Sequence, residues 1–319
     1  MNDQPLITIG LTCFNAETTI HRALQSALKQ TWENYEIIIV DDCSTDQSVE
    51  KMSSLLKRHH QIRLIQHKKN KGVAAARNTI IENANGEFIA FFDDDDQSLS
   101  NRLSVQYQKM TEYQELVGTE NIICHSARVQ IFPDGSKKYE PTLHTSNLQM
   151  TPKGSAVADL ILIGRPIGLP IGSMATCSQM ARRSTYKSVN GFNENLRRSE
   201  DTDLNVRLGL NGTYFLGIAE PLVHQTMTSS EDKHINEERK NALEWLNNHK
   251  IYLERIGWWE HSIRWLDIKF DYLSGQKLKF ILRMIFLVTQ FPLKTTKRLI
   301  WIKMNRGGGS EINSKIHKL

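Results

Sequence analysis

The sequence predicts an α/β fold in which a mostly parallel β-sheet is flanked by helices and followed by a helical C-terminal region. Two observations in the first hundred residues support this prediction. Short apolar runs rich in Ile, Val and Phe are typical of buried strands, and amphipathic segments with short links separate them. Repetition of strand, helix and strand places parallel strands between two layers of helices. The predicted strands span residues 6–12, 35–40, 62–66 and 88–92.

Three helices are predicted between these strands. The first carries Ile20, Ala23, Leu24, Ala27 and Leu28 at helical spacing. The second follows a stretch of capping residues at 44–46, and the third is expected over residues 73–83.

The pattern changes in the second part of the chain. Residues 122–143 read as a hairpin, 164–172 as a loop with close backbone approaches, and 200–210 as a helix. The chain is predicted to be largely helical after His224, as far as Trp301. We therefore expect a main domain with two halves, a helical C-terminal extension and a disordered tail, at residues 1–226 (halves 1–118 and 119–226), 227–304 and 305–319.

Composition limits the class of protein. The chain has 319 residues, of which 39% are hydrophobic and 24% charged, which is typical of a globular protein. No run approaches the roughly 18 to 20 apolar residues of a membrane span, and no signal peptide precedes the first strand, so we expect a cytoplasmic protein. The four cysteines lack metal-finger spacing and are expected to be free thiols.

Polar clusters follow three of the predicted strands. They comprise residues 12–15, Asp41 with Asp42, and the four consecutive acids Asp93 to Asp96. An isolated acidic run is typical of a solvated loop, but ligands of α/β folds bind at the carboxyl ends of the strands. Carboxylates at such an edge suit Mg²⁺ or Mn²⁺, which also bind the phosphates of nucleotides.

Other candidates each have a structural alternative. Arg77 lies on a helix of small residues that follows a glycine loop, where it could contact a phosphate. Glu200 and Asp201 begin a helix, where acids are favoured by the helix dipole or one of them acts as a general base. His224 reads as a partly buried histidine at a strand end, or as a metal or phosphate ligand. The motifs of P-loop phosphotransferases, dinucleotide oxidoreductases and α/β-hydrolases are missing from the sequence.

In their order and spacing, these motifs resemble the family 2 glycosyltransferases, inverting enzymes of the GT-A (Rossmann-like) fold that use nucleotide sugars. The similarity covers roughly residues 5–226. The matching segments are residues 12–17, 26–31, 40–46, 70–72 with 76–78, 91–96, and 191–192 with 200–203.

The resemblance implies roles for individual residues. The expected nucleotide contacts are Thr12, Asn15, Glu17, Asp42, Arg77 and Asp93. Asp93 and Asp95 resemble the Asp-X-Asp acids of the family, with His224 as a further metal ligand. Because all four positions of this run are acidic, which carboxylate touches the metal stays open. Asp201 corresponds to the base that deprotonates the acceptor, with Glu200 beside it.

The resemblance also implies an activity. It predicts transfer of one hexose or N-acetylhexosamine from a UDP-sugar to a hydroxyl of a glycan, typically lipid-linked, during polysaccharide biosynthesis, with Mn²⁺ or Mg²⁺ as cofactor. The Gln-x-x-Arg-Trp motif of processive synthases is missing from the sequence, which favours single addition. Two alternatives remain: a non-catalytic nucleotide-sugar-binding or scaffold protein of the same fold, and a transferase to polyprenyl phosphate.

The C-terminal region combines basic and aromatic residues. No acidic residue occurs between Asp271 and Glu311, whereas eight Lys and Arg residues and Trp301 do. This composition favours either a helix in an anionic membrane interface, on the inner face of the cytoplasmic membrane, or an ordinary core-packing helix pair. Pro292 is expected to divide the segment. A basic patch also suits nucleic acid, but no recognition module accompanies it, so we expect no nucleic-acid partner.

Overall fold

The computed structural model describes residues 4–143, 147–169, 172–227 and 235–304. Within these ranges the chain forms one sheet and twelve α-helices. The strands are β1 Ile7–Cys13, β2 Tyr35–Asp41, β3 Ile62–Gln66, β4 Phe88–Phe92, β5 Gln97–Ser98, β6 Ile122–Ile131, β7 Lys137–Glu140, β8 Gln179–Arg182 and β9 Tyr214–Thr226. The helices are α1 Ile20–Leu28, α2 Ser48–Arg58, α3 Val73–Asn83, α4 Arg102–Val117, α5 Ser155–Ile163, α6 Arg183–Lys187, α7 Glu200–Leu210, α8 Ile235–Asn248, α9 Lys250–Arg255, α10 Trp259–Leu273, α11 Lys277–Gln290 and α12 Pro292–Met304.

The sheet confirms the predicted fold class. Its strand order is β3-β2-β1-β4-β8-β6-β9-β5, and β7 pairs with β6. Strands β1 to β4 are mutually parallel, β6 and β9 are parallel to each other, and β8 is antiparallel to both β4 and β6. Six of the nine described strands therefore point in one direction, so the carboxyl ends of β1, β2 and β4 lie at one edge.

Helices cover both faces of the sheet. Alternate residues of each strand point to opposite faces, so that in β2 Ile37 and Ile39 pack with α1 and α2, whereas Ile38 and Val40 pack with α3. Fully buried strands of this kind carry apolar residues at nearly every position. This is why uninterrupted Ile, Val and Phe runs predicted the four strands β1 to β4 to within one residue at each end.

The C-terminal helices join the same apolar core. Trp265, Leu287 and Trp301, from three of these helices, are buried in one cluster with residues of α3, α5 and α7. The Tyr252 hydroxyl donates a hydrogen bond of 2.7 Å to the Asp159 carboxylate on α5. The predicted extension thus packs directly on the main domain.

Several other predictions are confirmed. Helix α3 and helix α7 have their predicted bounds, and Pro292 begins α12. All four cysteines are free. A Cβ atom on Gly172 would lie 1.9 Å from the Thr142 carbonyl carbon, as expected for close backbone approach in this loop. None of the helices in the described part of the chain combines the length and the apolar character that a membrane span requires. The predicted disordered tail at 305–319 lies outside the described residues.

Candidate functional site

The turns that follow β1, β2 and β4 meet at one edge of the sheet. The Phe14 amide donates a hydrogen bond of 2.9 Å to Asp94 Oδ2, and the Thr45 amide donates one of 2.9 Å to Asn15 Oδ1. The turn after β1 is therefore linked to the turns after both neighbouring strands. This arrangement follows from the parallel order, which brings the three carboxyl ends together.

Three residues predicted to contact a nucleotide lie in or directly after β1. Thr12 is mostly buried and sits beside Val40 of β2. Asn15 has a φ of +49°, a left-handed conformation that asparagine tolerates better than most residues. Glu17 Oε2 accepts a hydrogen bond of 3.0 Å from the Gln47 amide. The structure brings all three to the predicted edge, and their contact with a nucleotide remains a prediction.

Asp42 is buried beneath the loop that begins α3. Its carboxylate accepts hydrogen bonds from the amides of Lys71 at 2.9 Å and Gly72 at 2.6 Å, and lies 2.6 Å from His67 Nδ1. Gly72 has a φ of +94°, which strongly favours glycine. Asp42 thus fixes the glycine loop, and both of its carboxylate oxygens already have protein partners.

Arg77 links two acidic segments that are far apart in sequence. Its Nη1 donates a hydrogen bond of 2.7 Å to Glu200 Oε1, and its Nη2 donates one of 3.1 Å to Asp93 Oδ1. Its guanidinium carbon lies 5.3 Å from the centre of the Phe192 ring. Burial opposes the charge of Arg77, but the neighbouring acids, Asp93 first, raise its pKa above the ordinary value. The guanidinium therefore holds the end of β4 against the start of α7.

The acidic run after β4 carries uncompensated negative charge. Burial, followed by the charges of neighbouring acids, raises the pKa of Asp94 to about 7 and that of Asp95 to about 6. The same causes raise the pKa of Asp96 well above its ordinary value. Carboxyl groups behave in this way when buried beside like charges without a sufficient cation.

The donor set of this run fits a hard divalent cation. Ligand atoms of Asp93, Asp96 and Cys177 lie within 4.8 Å of one another. Asp96 Oδ2 is buried beside the Cys177 thiol. Burial raises the pKa of the Cys177 thiol, which disfavours the thiolate that soft metals bind. The carboxylate oxygens are thus the suitable ligands, as Mn²⁺ or Mg²⁺ requires.

The two other predicted metal ligands lie outside that three-residue group. The backbone carbonyl of Asp95 accepts hydrogen bonds from Arg22 Nη2 and from the Thr226 hydroxyl. His224 pairs with Gln97 across β9 and β5, next to this turn, and lines a small surface groove. The short strand β5 therefore brings His224 near the acidic run, while its binding to a metal remains a prediction.

Arg102 binds the backbone next to the acidic run, a role that the sequence did not indicate. It is fully buried, and its Nη2 donates hydrogen bonds to the carbonyls of Phe91 at 2.9 Å and Gln179 at 3.2 Å. Burial lowers its pKa to about 10. In the sequence, Arg102 is only an arginine at the start of a helix, and arginines at such positions are common on protein surfaces. Its burial depends on packing against β8, which contiguous sequence does not reveal.

The candidate base lies at the start of α7. Ser199, which precedes the helix, has a φ of +63°, a strained conformation of the kind found at functional sites. Asp201 Oδ1 accepts hydrogen bonds from the Thr202 amide at 2.6 Å and hydroxyl at 3.2 Å. Burial and the charge of Asp201 raise the pKa of the adjacent Glu200 to about 7. Both acids border a cavity of about 460 Å³.

Comparison with known proteins agrees with this geometry. Residues 8–156 match the family model described as "Glycosyl transferase family 2". Those residues contain β1 to β4, the acidic run and Arg77, but not α7.

Two curated relatives are bacterial glycosyltransferases. The chain is 39% identical over 108 residues, 34% of its length, to the Escherichia coli protein named UDP-Glc:alpha-D-GlcNAc-diphosphoundecaprenol beta-1,3-glucosyltransferase WfgD. It is 35% identical over 111 residues, 35% of its length, to the putative teichuronic acid biosynthesis glycosyltransferase TuaG of Bacillus subtilis. The matches span 42% and 44% of those relatives, so the chain covers less than half of either protein.

A solved structure shares the fold over almost the entire chain. Staphylococcus aureus TarS residues 1–349 in complex with UDP-GlcNAc superimposes with a TM-score of 0.57 and 17% identity, and the match covers 95% of this chain and 92% of that one. TarS therefore supports the architecture, including the helical C-terminal region, whereas the family assignment depends on the sequence match. Residues 8–156 are therefore identified as a glycosyl transferase family 2 domain.

Proposed function

We propose that the protein is an inverting glycosyltransferase that moves one sugar from a UDP-sugar to a hydroxyl of a lipid-linked glycan. The observation that carries this proposal is the bridge formed by Arg77. Its guanidinium contacts Asp93 at the strand edge and Glu200 at the start of α7. One side chain thus links the acids proposed to bind a cation to the start of α7, where Asp201, the proposed base, follows Glu200.

The proposed reaction is a direct displacement. The acceptor oxygen forms a bond to the anomeric carbon while the bond from that carbon to the UDP oxygen breaks. Asp201 accepts the proton of the acceptor hydroxyl, since a hydroxyl is a weak nucleophile at neutral pH. Attack on the face opposite the leaving group inverts the configuration. Asp201 borders an open cavity, which gives an acceptor room to approach.

The proposal includes a divalent cation held by Asp93 and Asp95, with Asp96 as a further carboxylate. When bound, Mn²⁺ or Mg²⁺ neutralises the charge that develops on the departing diphosphate. The protein's own contribution is that Arg77 holds the Asp93 carboxylate, while Arg102 fixes the backbone before the run through the Phe91 carbonyl. The turns after β1 and β2, with Asn15 and Glu17, form the proposed site for the nucleotide base.

The names of relatives support the choice of donor and acceptor. The Escherichia coli relative is named for a UDP-glucose donor and an acceptor sugar linked to diphosphoundecaprenol. TarS was solved with UDP-GlcNAc. We therefore propose a UDP-hexose or UDP-N-acetylhexosamine as donor, and a role in surface-polysaccharide assembly.

A transfer assay tests this function. The full chain is incubated with Mn²⁺ and UDP-glucose or UDP-GlcNAc, and with either GlcNAc-diphosphoundecaprenol or undecaprenyl phosphate. We expect a new sugar on the lipid-linked GlcNAc only, because only that acceptor offers a sugar hydroxyl. Transfer to undecaprenyl phosphate would contradict the hydroxyl mechanism. A donor that binds and is never transferred would favour a non-catalytic protein of the same fold.

We further propose that α11 and α12 contact the inner face of the cytoplasmic membrane. Apolar residues spaced three and four apart form one exposed face of α11: Leu278, Ile281, Leu282, Ile285 and Phe286. Leu278 is 71% exposed, and on α12 Leu293 is 76% exposed. Exposed Lys277, Lys279 and Lys297 provide positive charge beside this face. An apolar face with flanking lysines suits an anionic bilayer interface.

Flotation with vesicles tests this contact. The double variant Leu278→Asp with Leu282→Asp should bind phosphatidylglycerol vesicles about tenfold or more weakly than wild type. Two apolar side chains that would move from water into the bilayer are then replaced by charged ones. Leu116→Asp, a change at a half-exposed leucine on α4, serves as the matched control and should bind as wild type. Equal flotation of the double variant and the wild type would contradict the proposed membrane contact.

A further inference from the structure

The second half of the acidic run is hydrogen-bonded to helix α1 and to the end of β9. Arg22 Nη2, on α1, donates hydrogen bonds of 2.9 Å to the Asp95 carbonyl and of 3.0 Å to the Thr226 hydroxyl oxygen. The Thr226 hydroxyl donates one of 2.6 Å to the same carbonyl, and the Thr226 amide donates one of 2.9 Å to Asp96 Oδ1. We call these four hydrogen bonds the clamp.

The donors and acceptors of the clamp match one another. The single hydroxyl proton of Thr226 goes to the Asp95 carbonyl, so the hydroxyl oxygen is free to accept from Arg22. A carbonyl oxygen can accept two hydrogen bonds, and both of its donors are present here. Arg22, Thr226 and the Asp95 carbonyl thus each contact the other two, and removal of one side chain weakens the hold of the other.

The clamp lies next to the predicted histidine ligand. His224 precedes Thr226 by two residues on β9, and alternate residues of a strand point to the same side. Arg22, His224 and Thr226 also line one small surface groove of about 120 Å³. Because Thr226 is bonded to both Asp95 and Asp96, the clamp fixes the position of this end of β9, with His224, relative to the acidic run.

The clamp completes the support of four consecutive acids. In the first half of the run, Arg77 donates to Asp93 and the Phe14 amide donates to Asp94. The clamp provides the corresponding contacts for the second half. Neighbouring carboxylates repel one another when they are ionised. A fold that holds them in place against this repulsion presents them ready for a cation, because groups behind the ligands orient the ligands themselves.

We propose that Arg22 and Thr226 are positioning residues of the candidate metal site. They hold the Asp95 peptide and the Asp96 carboxylate in place, and they thereby orient the carboxylates of the run and His224 towards one divalent cation. The inference rests on the proposed function for the presence of that cation, whereas the hydrogen bonds of the clamp do not. Helix α1, which supplies none of the predicted metal ligands, then contributes to metal affinity through Arg22.

Electron paramagnetic resonance of Mn²⁺ tests this role without the transfer reaction, because Mn²⁺ loses the sharp signal of the free ion when it binds. Thr226→Val keeps the backbone amide and the shape of the side chain but removes the hydroxyl. It should weaken Mn²⁺ binding to the full chain about tenfold or more, the usual effect of losing a group that orients a metal ligand. Thr226→Ser, which keeps the hydroxyl, should bind Mn²⁺ nearly as wild type. Thr111→Val is the matched control, since that hydroxyl donates only to carbonyls of its own helix α4.

Replacement of Arg22 tests the other half of the clamp. Arg22 is exposed, so Arg22→Met leaves no buried cavity and should fold. We expect it, too, to weaken Mn²⁺ binding about tenfold. Arg22→Met combined with Thr226→Val should lose less than the product of the two single effects, because both side chains bind the same carbonyl. Arg58→Met, at an exposed arginine of α2, is the matched control and should bind Mn²⁺ as wild type.

The outcomes separate this inference from the proposed function. Equal Mn²⁺ affinity of wild type, Thr226→Val and Arg22→Met would overturn the inference and leave the proposed metal site intact. A loss in Thr226→Val that Thr226→Ser shares in full would also overturn it, because the hydroxyl would then not be the cause. If wild type binds no Mn²⁺, with or without UDP, the proposed metal site fails and the positioning role fails with it. If Thr226→Val does not fold, the comparison of Arg22→Met with Arg58→Met decides.

Discussion

Replacement of Asp201 by asparagine is expected to lower the rate of sugar transfer by about 10²- to 10⁴-fold, the usual contribution of a general base. Asparagine keeps the shape of the side chain and can still accept a hydrogen bond from the Thr202 amide, so the start of α7 should persist. It cannot accept the proton of the acceptor. UDP binding should stay near the wild-type value, because the proposed nucleotide contacts lie mainly at the ends of β1, β2 and β4.

The neighbouring acid provides the control. Glu200 is hydrogen-bonded to Arg77, and burial with the charge of Asp201 raises its pKa to about 7. Glu200→Gln should therefore act mainly through Arg77 and reduce transfer less than Asp201→Asn does. Initial rates of both variants at saturating donor separate the two roles. Unchanged turnover in Asp201→Asn would remove the assignment, and a larger loss in Glu200→Gln would transfer the role to Glu200.

Much of the fold was predictable because its strands are buried on both faces. A strand such as Phe88–Phe92 must be apolar at every position, and this pattern is visible in the sequence. The polar residues after it had to lie with those that follow β1 and β2, because these parallel strands end at one edge of the sheet. Strands β5 and β8 could not be recognised from an apolar run. Strand β5 has only two residues, and β8 forms through its pairing with β4 and β6.

The orientation of individual acids was not predictable. Asp94 turns towards the Phe14 amide, whereas Asp96 points towards Cys177, which is 81 positions further along the chain. Consecutive residues of a turn point in different directions, and only the folded chain selects their partners. The same reason hid Arg102, since an arginine in a helix is normally exposed.

Of the two alternatives drawn from the composition of the C-terminal region, the structure shows the core packing, and membrane contact remains a proposal. Leu287 and Trp301 pack in the core, as ordinary helix packing predicts. The opposite face of α11 remains apolar and exposed. Sequence composition could not separate these two faces, because assigning them requires knowing which side of the helix meets α10.

Removal of the divalent cation should cause a large loss of UDP affinity, the second of the two largest expected effects. We expect UDP to bind at least tenfold more tightly with Mn²⁺ than in the presence of a chelator. The reason is that consecutive carboxylates crowd this turn and, when ionised without a cation, would repel a diphosphate. Asp95→Asn should abolish most of this gain. Glu112→Gln, at an exposed acid on α4, is a control that removes the same charge elsewhere.

The measurement that tests the central claim most directly is calorimetric titration of UDP with and without Mn²⁺, with GDP as comparator. The proposed donor site predicts Mn²⁺-dependent binding of UDP, weaker binding of GDP, loss of the Mn²⁺ effect in Asp95→Asn and its retention in Glu112→Gln. Absence of UDP binding in wild-type protein, with or without Mn²⁺, would contradict the account. Equal UDP affinity with and without Mn²⁺ would contradict the metal site alone.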